Sequence, residues 1–173
     1  MSAILKNKKI LITGASRGLG EVSARALADQ EAILVLMARS KDKLQEINNS
    51  LKHPEKHSVI AVDLTDTEEL HQAVDQAVKF LGEVDVVLHI AGGGLGLRDP
   101  LLSSEELFRL FNINIGAAVE INKIIVPQMI QRKSGNLVHV CSIASSEASG
   151  SVGYNTVKAA LAAYVRTLGR ELA

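Results

Sequence analysis

Five short apolar runs, each separated from the next by a longer stretch of helical periodicity, constrain this chain more than any other feature. The runs are Lys9 to Thr13, Ile33 to Ala38, Val59 to Val62, Val84 to Ile90 and Leu137 to Cys141. Isoleucine, leucine and valine dominate them with little polar alternation, as expected of strands covered on both faces. Helical patterns occupy 18–30, 41–51, 67–82, 103–131 and 153–172. Regular alternation of the two predicts an α/β protein with a doubly wound parallel sheet, three layers deep (α/β/α), and ligands at the carboxyl ends of its strands. Pro54 marks a surface loop before the third strand, and Pro127, inside the longest helical pattern, predicts a kink. At 173 residues the chain fits one domain over 1–173.

Charge narrows the function classes. Lys and Arg number 19, as do Asp and Glu, so no basic footprint points to nucleic acid or an anionic membrane. The single Cys141 cannot form an intrachain disulfide and fits a reducing, cytoplasmic compartment. The N-terminal M-S-A-I-L-K-N-K-K lacks the apolar stretch of a secretory leader, and no segment has about eighteen uninterrupted apolar residues.

Two motifs carry chemistry. The first run leads directly into G-A-S-R-G-L-G, Gly14 to Gly20, and then into a helical pattern. Gly14, Gly18 and Gly20 permit a tight turn and let the amides around Ser16, Arg17 and Leu19 approach a pyrophosphate, at the positive end of the following helix. Near the other end, Tyr154 and Lys158 in Y-N-T-V-K lie about one helical turn apart and project from one face. An ammonium beside a phenol favours the phenolate, which suits Tyr154 to proton exchange with a carbonyl or alcohol. Ser142 ends the fifth apolar run, where its hydroxyl can point into the crevice at the sheet edge, although Ser145, Ser146, Ser149 and Ser151 crowd the same loop. The second run ends in Ala38 and Arg39, without the acid that would bind a ribose 2′-hydroxyl. Arg39 and Arg17 can instead pair with a 2′-phosphate, so the pair favours NADP(H) over NAD(H). Either arginine alone reads equally well as a solvated surface charge.

The spacing T-G-x-x-x-G-x-G, with V-C-S-I-A-S, Y-N-T-V-K and N-I-N-I-G-A-A in that family's positions, resembles the short-chain dehydrogenase/reductase family over essentially the whole chain. The resemblance implies a Rossmann-like fold and a reaction between a carbonyl and a secondary alcohol. Ser142, Tyr154, Lys158 and Asn114 would act together in it. Asn114 is preferred to Asn112 because its distance to Pro127 fits the family spacing. By the same resemblance Lys158 holds the nicotinamide ribose and Asn114, at a helix disruption, seats a water linking Lys158 to solvent. Asp63 contacts the adenine amino group, Leu64 flanks the ring, and the backbone at Ala91 and Gly92 passes the adenosine ribose. Asp63 also reads as a helix cap, a role that Thr65 or Asp66 fits better. The implied substrate is a small carbonyl or alcohol, first a 3-oxoacyl thioester, then a sugar or polyol; a dinucleotide-binding protein without catalysis is the alternative. Ile121, Ile124, Ile125, Leu161 and Leu168 extend the apolar surface of the last two helical patterns, and relatives pair such helices into dimers and tetramers. The same residues can equally pack on the sheet.

Two departures from the family stand out. His89-Ile90-Ala91-Gly92 replaces the usual N-N-A-G, and His89 reads as a satisfied strand-end histidine rather than a catalytic group. The chain also stops at G-R-E-L-A inside a helical pattern, where related reductases continue through further strands and a substrate-covering segment. The expectation is a sheet lacking its C-terminal strands, in a truncated version of a longer protein.

Overall fold

A computed structural model describes residues 4–173; the first three residues of the stretch read against a secretory leader lie outside them. Five strands, β1 (Lys9–Thr13), β2 (Ile33–Ala38), β3 (Ser58–Ala61), β4 (Val86–His89) and β5 (Asn136–His139), form one sheet in the order β3-β2-β1-β4-β5. Every pairing is parallel. Helices α1 (Gly18–Asp29), α2 (Lys41–Ser50), α3 (Thr67–Leu81), α4 (Ser104–Phe111), α5 (Ala117–Arg132) and α6 (Val152–Leu172) connect and follow the strands. The doubly wound α/β architecture is as the alternation of patterns predicts.

Side-chain alternation along β1 divides the core. Ile10 and Ile12 join Leu34, Leu36, Ala24, Ala28, Leu44 and Ile47 on the face covered by α1 and α2. Leu11 joins Val35, Met37, Val87, Leu70, Val74, Ile121 and Ile125 on the face covered by α3 and α5. A smaller cluster of Leu110, Ile115, Val157 and Leu161 ties α4 and α6 together. Ile121 and Ile125 thus pack on the sheet, as their alternative reading has it, while Leu161 packs inside the chain against α4. The apolar side chains that α4 and α5 do expose are Phe108, Phe111, Val119 and Ile130.

Local chemistry sets the ends of the elements. Asp66 caps α3 by accepting the Glu69 amide at 3.0 Å. Ser103 and Glu106 form a reciprocal capping box on α4. The buried His57 begins β3 one residue earlier than its apolar run: its Nδ1 accepts the Leu34 amide at 3.2 Å and its Nε2 donates to the Lys52 carbonyl at 3.0 Å. The long helical pattern at 103–131 is a composite, broken by a wide π turn at Asn112–Gly116. No break occurs at Pro127, through which α5 runs continuously. Pro127 and Lys123 lie on the exposed side of α5, where water can satisfy the carbonyl that the proline leaves without a donor. β5 pairs with β4 alone, so it forms one edge of the sheet, and Val138 on it is 44 % exposed. Among the described residues no helix is long and apolar enough to cross a membrane.

Candidate active site

The β1–α1 turn is a cradle that only glycine permits. A Cβ on Gly20 would lie 2.1 Å from the Gly14 carbonyl oxygen, and one on Gly14 would lie 2.8 Å from the Ala91 nitrogen. Gly14 and Gly18 both have positive φ, at 71° and 55°, and a Cβ on Gly18 would meet open space. Arg17 is the extended residue before α1 and makes no side-chain cap, so the first amides of the helix lack a side-chain acceptor among the described residues. Ser16 is half-buried, while Leu19 is exposed. This arrangement fits the anionic bridge of a dinucleotide.

Thr13, fully buried at the end of β1, accepts the Ile90 and Ala91 amides through Oγ1 at 3.2 and 3.3 Å. That clasp brings the Ala91-Gly92 backbone against Gly14. Arg39 is exposed after β2, and neither it nor Arg17 forms an ion pair among the described residues. Asp63, after β3, folds into a turn by accepting the Thr65 amide at 2.9 Å and its hydroxyl at 2.7 Å. The Thr65 amide bond, then the hydroxyl bond, hold its carboxyl below the usual range, with a contribution from the Arg39 charge. Leu64 turns into the core and is 6 % exposed, so its side chain is not free to flank a ring.

The remaining site residues converge at Gly92 and Val140. Asn114, 3 % exposed in the π turn, accepts the Gly93 amide at 3.0 Å and donates to the Gly93 carbonyl at 3.0 Å and to the Leu110 carbonyl at 2.8 Å. A Cβ on Gly92 would strike Asn114 Oδ1 at 2.6 Å and approach Lys158 Nζ to 3.5 Å, which places all three around one point. Lys158 is 4 % exposed; its ammonium donates to the Val140 carbonyl at 3.1 Å and lies 5.8 Å from the centre of the Tyr154 ring. Burial pushes its pKa down, and Cys141 nearby pulls it partly back. Two residues after Val140, Ser142 Oγ accepts the Ala144 amide at 3.2 Å, an arrangement that leaves the hydroxyl proton to point elsewhere. Tyr154 is half-buried, one edge of its ring facing Gly94 and the other Gly150.

Behind Lys158 lies a polar layer that the sequence does not announce. His89 and His139 are register partners on β4 and β5 and their rings stack, 4.4 Å apart and 18° from parallel. His89 Nε2 donates to Asn122 Oδ1 at 2.9 Å, and Asn122 Nδ2 donates to the Tyr164 hydroxyl at 3.0 Å. Burial pushes the His89 pKa down to about 3, with His139 adding to the shift and the Asn122 bond opposing it. Burial likewise pushes His139 down to about 4, with Lys158 adding to the shift. His89 is therefore the satisfied strand-end histidine expected of it. His139, Asn122 and Thr13 escape a reading by motif, because each acts through a partner more than fifteen positions away.

Comparison with known proteins agrees with this geometry. The profile described as short chain dehydrogenase matches residues 8–173. Ketoacyl reductase HetN of Nostoc sp. (strain PCC 7120 / SAG 25.82 / UTEX 2576) is 35% identical over 171 residues, which are 97% of this chain and 59% of that protein. The structure of L-sorbose reductase from Gluconobacter frateurii, complexed with NADPH and L-sorbose, superposes with a TM-score of 0.90 at 30% identity. The match covers 99% of this chain and 66% of that one. A 7α-hydroxysteroid dehydrogenase complexed with NADH and 7-oxo glycochenodeoxycholic acid shares the fold at a TM-score of 0.91 and 24% identity, over 99% of this chain and 68% of that one. The chain thus spans somewhat under two thirds of HetN. Its sequence match, its sheet order and its glycine turn have one reading: the chain belongs to the short chain dehydrogenase family.

Proposed function

We propose that residues 1–173 form a single dinucleotide-binding and catalytic unit of a cytoplasmic reductase that interconverts a carbonyl and a secondary alcohol. The observation that carries this reading is the buried Lys158 ammonium, held by the Val140 carbonyl at 3.1 Å and set 5.8 Å from the Tyr154 ring. That cation stands over the ring whose hydroxyl is free of any partner among the described residues, so Tyr154 is the group that gives its proton to a carbonyl oxygen and recovers it in the reverse direction. The Ser142 hydroxyl, its oxygen already occupied by the Ala144 amide, donates a second hydrogen bond to the same substrate oxygen. Lys158 also holds the cofactor ribose hydroxyls, and Asn114, bracing the Gly93 loop, stands on the path by which Lys158 exchanges protons with solvent.

The cofactor supplies the hydride. Gly14, Ser16, Arg17, Gly18, Leu19 and Gly20 embrace its pyrophosphate, Ala91 and Gly92 pass its adenosine ribose, and Asp63 with the main chain of Leu64 borders its adenine. Unpaired Arg39 and Arg17 favour NADP(H) over NAD(H); the NADPH complex of the sorbose reductase supports this, although the steroid dehydrogenase shares the fold and carries NADH. A 3-oxoacyl thioester is the first substrate class, on the likeness to the ketoacyl reductase. A sugar or polyol is the second, favoured by the likeness to the sorbose reductase. Phe108, Phe111 and Val119 are exposed on neighbouring helices and serve a homodimer or homotetramer. Tyr154→Phe is the test: turnover is lost while NADPH affinity, measured by quenching or enhancement of its fluorescence, stays within about twofold of the parent. Preserved turnover with lost cofactor binding rejects the assignment.

A further inference from the structure

We infer that Asn155 is a positioning residue whose carboxamide latches the serine loop onto α6 and, with Gly150, fixes Ser142 relative to Tyr154. This inference rests on the roles proposed for those two side chains. The loop from Ser142 to Ser151 is held to itself at its start: Ser145 N donates to the Ser142 carbonyl at 3.0 Å, and Glu147 N donates to the Ile143 carbonyl at 2.9 Å. Its second half has little of its own. Among the described residues, Ala148, Ser149 and Gly150 take part in no hydrogen bond to the rest of the chain.

One side chain closes that open half. Asn155 Nδ2 donates to the Glu147 carbonyl at 2.6 Å across eight residues, while the Asn155 amide holds the Ser151 carbonyl in the first turn of α6 at 2.9 Å. The chain of bonds therefore runs from Ser142 through Ile143 and Glu147 to the residue next to Tyr154. The Glu147 carbonyl also fixes which end of the carboxamide points where, since only the nitrogen can donate to it.

Gly150 gives an independent sign that the fit is built. Its φ is not in the left-handed region, so its backbone conformation does not demand glycine. Space does: a Cβ there would lie 2.5 Å from Asn155 Oδ1 and 3.0 Å from Tyr154 Cδ1. Asn155 Oδ1 is buried and accepts no hydrogen bond among the described residues, which is the cost of pressing the carboxamide against the glycine. The loop is thereby seated on the edge of the Tyr154 ring, opposite the edge that faces Gly94.

The test uses the purified protein, with Asn155→Ala, Gly150→Ala and Tyr154→Phe as variants. Hydrogen exchange of the hydrogen-bonded 144–147 amides and NADPH oxidation with the N-acetylcysteamine thioester of 3-oxobutanoate are the readouts. Asn155→Ala and Gly150→Ala are expected to speed exchange of those amides at least about tenfold and leave NADPH affinity within about twofold. Both are expected to lower kcat by about 10- to 100-fold, the scale of a displacement near 1 Å, with a smaller change in KM. Unchanged exchange, or faster exchange with unchanged kcat, overturns the latch. A parent protein whose turnover Tyr154→Phe matches overturns the reductase reading instead, and the exchange rates of the two loop variants then still decide whether the latch exists.

Discussion

Acidification to pH 5.0 isolates the stacked His89–His139 pair. In the folded protein burial holds both rings neutral, with pKa values near 3 and near 4, whereas in the unfolded chain each titrates near 6.5. Below pH 6.5 the unfolded state therefore binds more protons, and stability falls as pH falls. Between pH 7.5 and 5.0 each ring loses about 2 kcal/mol, so the pair loses about 4 kcal/mol, on the order of a third to a half of an ordinary domain's stability. The carboxylates with lowered pKa, Glu31, Glu46 and Asp63, start from values of 4.5 or below and lose most of their contribution only under pH 5. His57, also pushed down by burial, remains as a background in every variant. The assay is urea unfolding at pH 7.5 and 5.0 for the parent and for the double variant His89→Asn/His139→Asn. With a slope of about 2 kcal/mol per molar urea, the parent's midpoint falls by about 2 M from the pair alone, and the double variant loses that part of the shift. Equal shifts in the two proteins would refute the argument. So would a parent more stable at pH 5.0 than at pH 7.5.

Arg39→Glu is expected to weaken NADPH binding by about 10- to 100-fold, the loss of one charge-assisted phosphate bond, and to leave NADH binding equal or tighter; titration with each dinucleotide checks it. Lys158→Met removes a cation that burial disfavours, so it is expected to abolish turnover while keeping the thermal midpoint at or above the parent's; calorimetry showing a fall of several degrees would contradict this.

The parts legible in the sequence were those fixed by neighbours along the chain. Strand positions, the glycine turn and the Asp66 cap each depend on a window of a few residues, and the apolar runs locate all five strands to within about two residues at each end. What the sequence could not show depends on register. His89 and His139 meet because β4 and β5 pair in one particular alignment, and nothing near either residue encodes it. Asn114 was readable as a site residue through its motif. The helix disruption there followed from the resemblance alone; the pattern itself does not show the π turn that points its carboxamide at Gly93, because a helix that widens by one residue keeps its apolar period on either side. Ile121 and Ile125 were ambiguous for a related reason. An apolar stripe wide enough for two partners looks the same whether the second is another helix of the chain or another copy.

The hydrogen-bond donors left free around the site suit the carbonyl proposed as its substrate. Three polar side chains around it are committed to main-chain groups: Thr13 to the Ile90 and Ala91 amides, Asn114 to Gly93 and Leu110, and Asn155 to Glu147. They stiffen the loops and have little left with which to bind a ligand. Ser142 spends a lone pair on the Ala144 amide and keeps its proton, the Tyr154 hydroxyl has no hydrogen bond among the described residues, and Lys158 spends one of three N–H groups on Val140. Two hydroxyl donors match the two lone pairs of a carbonyl oxygen, the substrate group proposed for this site. A site meant to hold a carboxylate or phosphate would present its ammonium to the ligand directly. Here the ammonium is buried between the Val140 carbonyl and the face of the Tyr154 ring, a placement that supports the proposed carbonyl chemistry over anion binding.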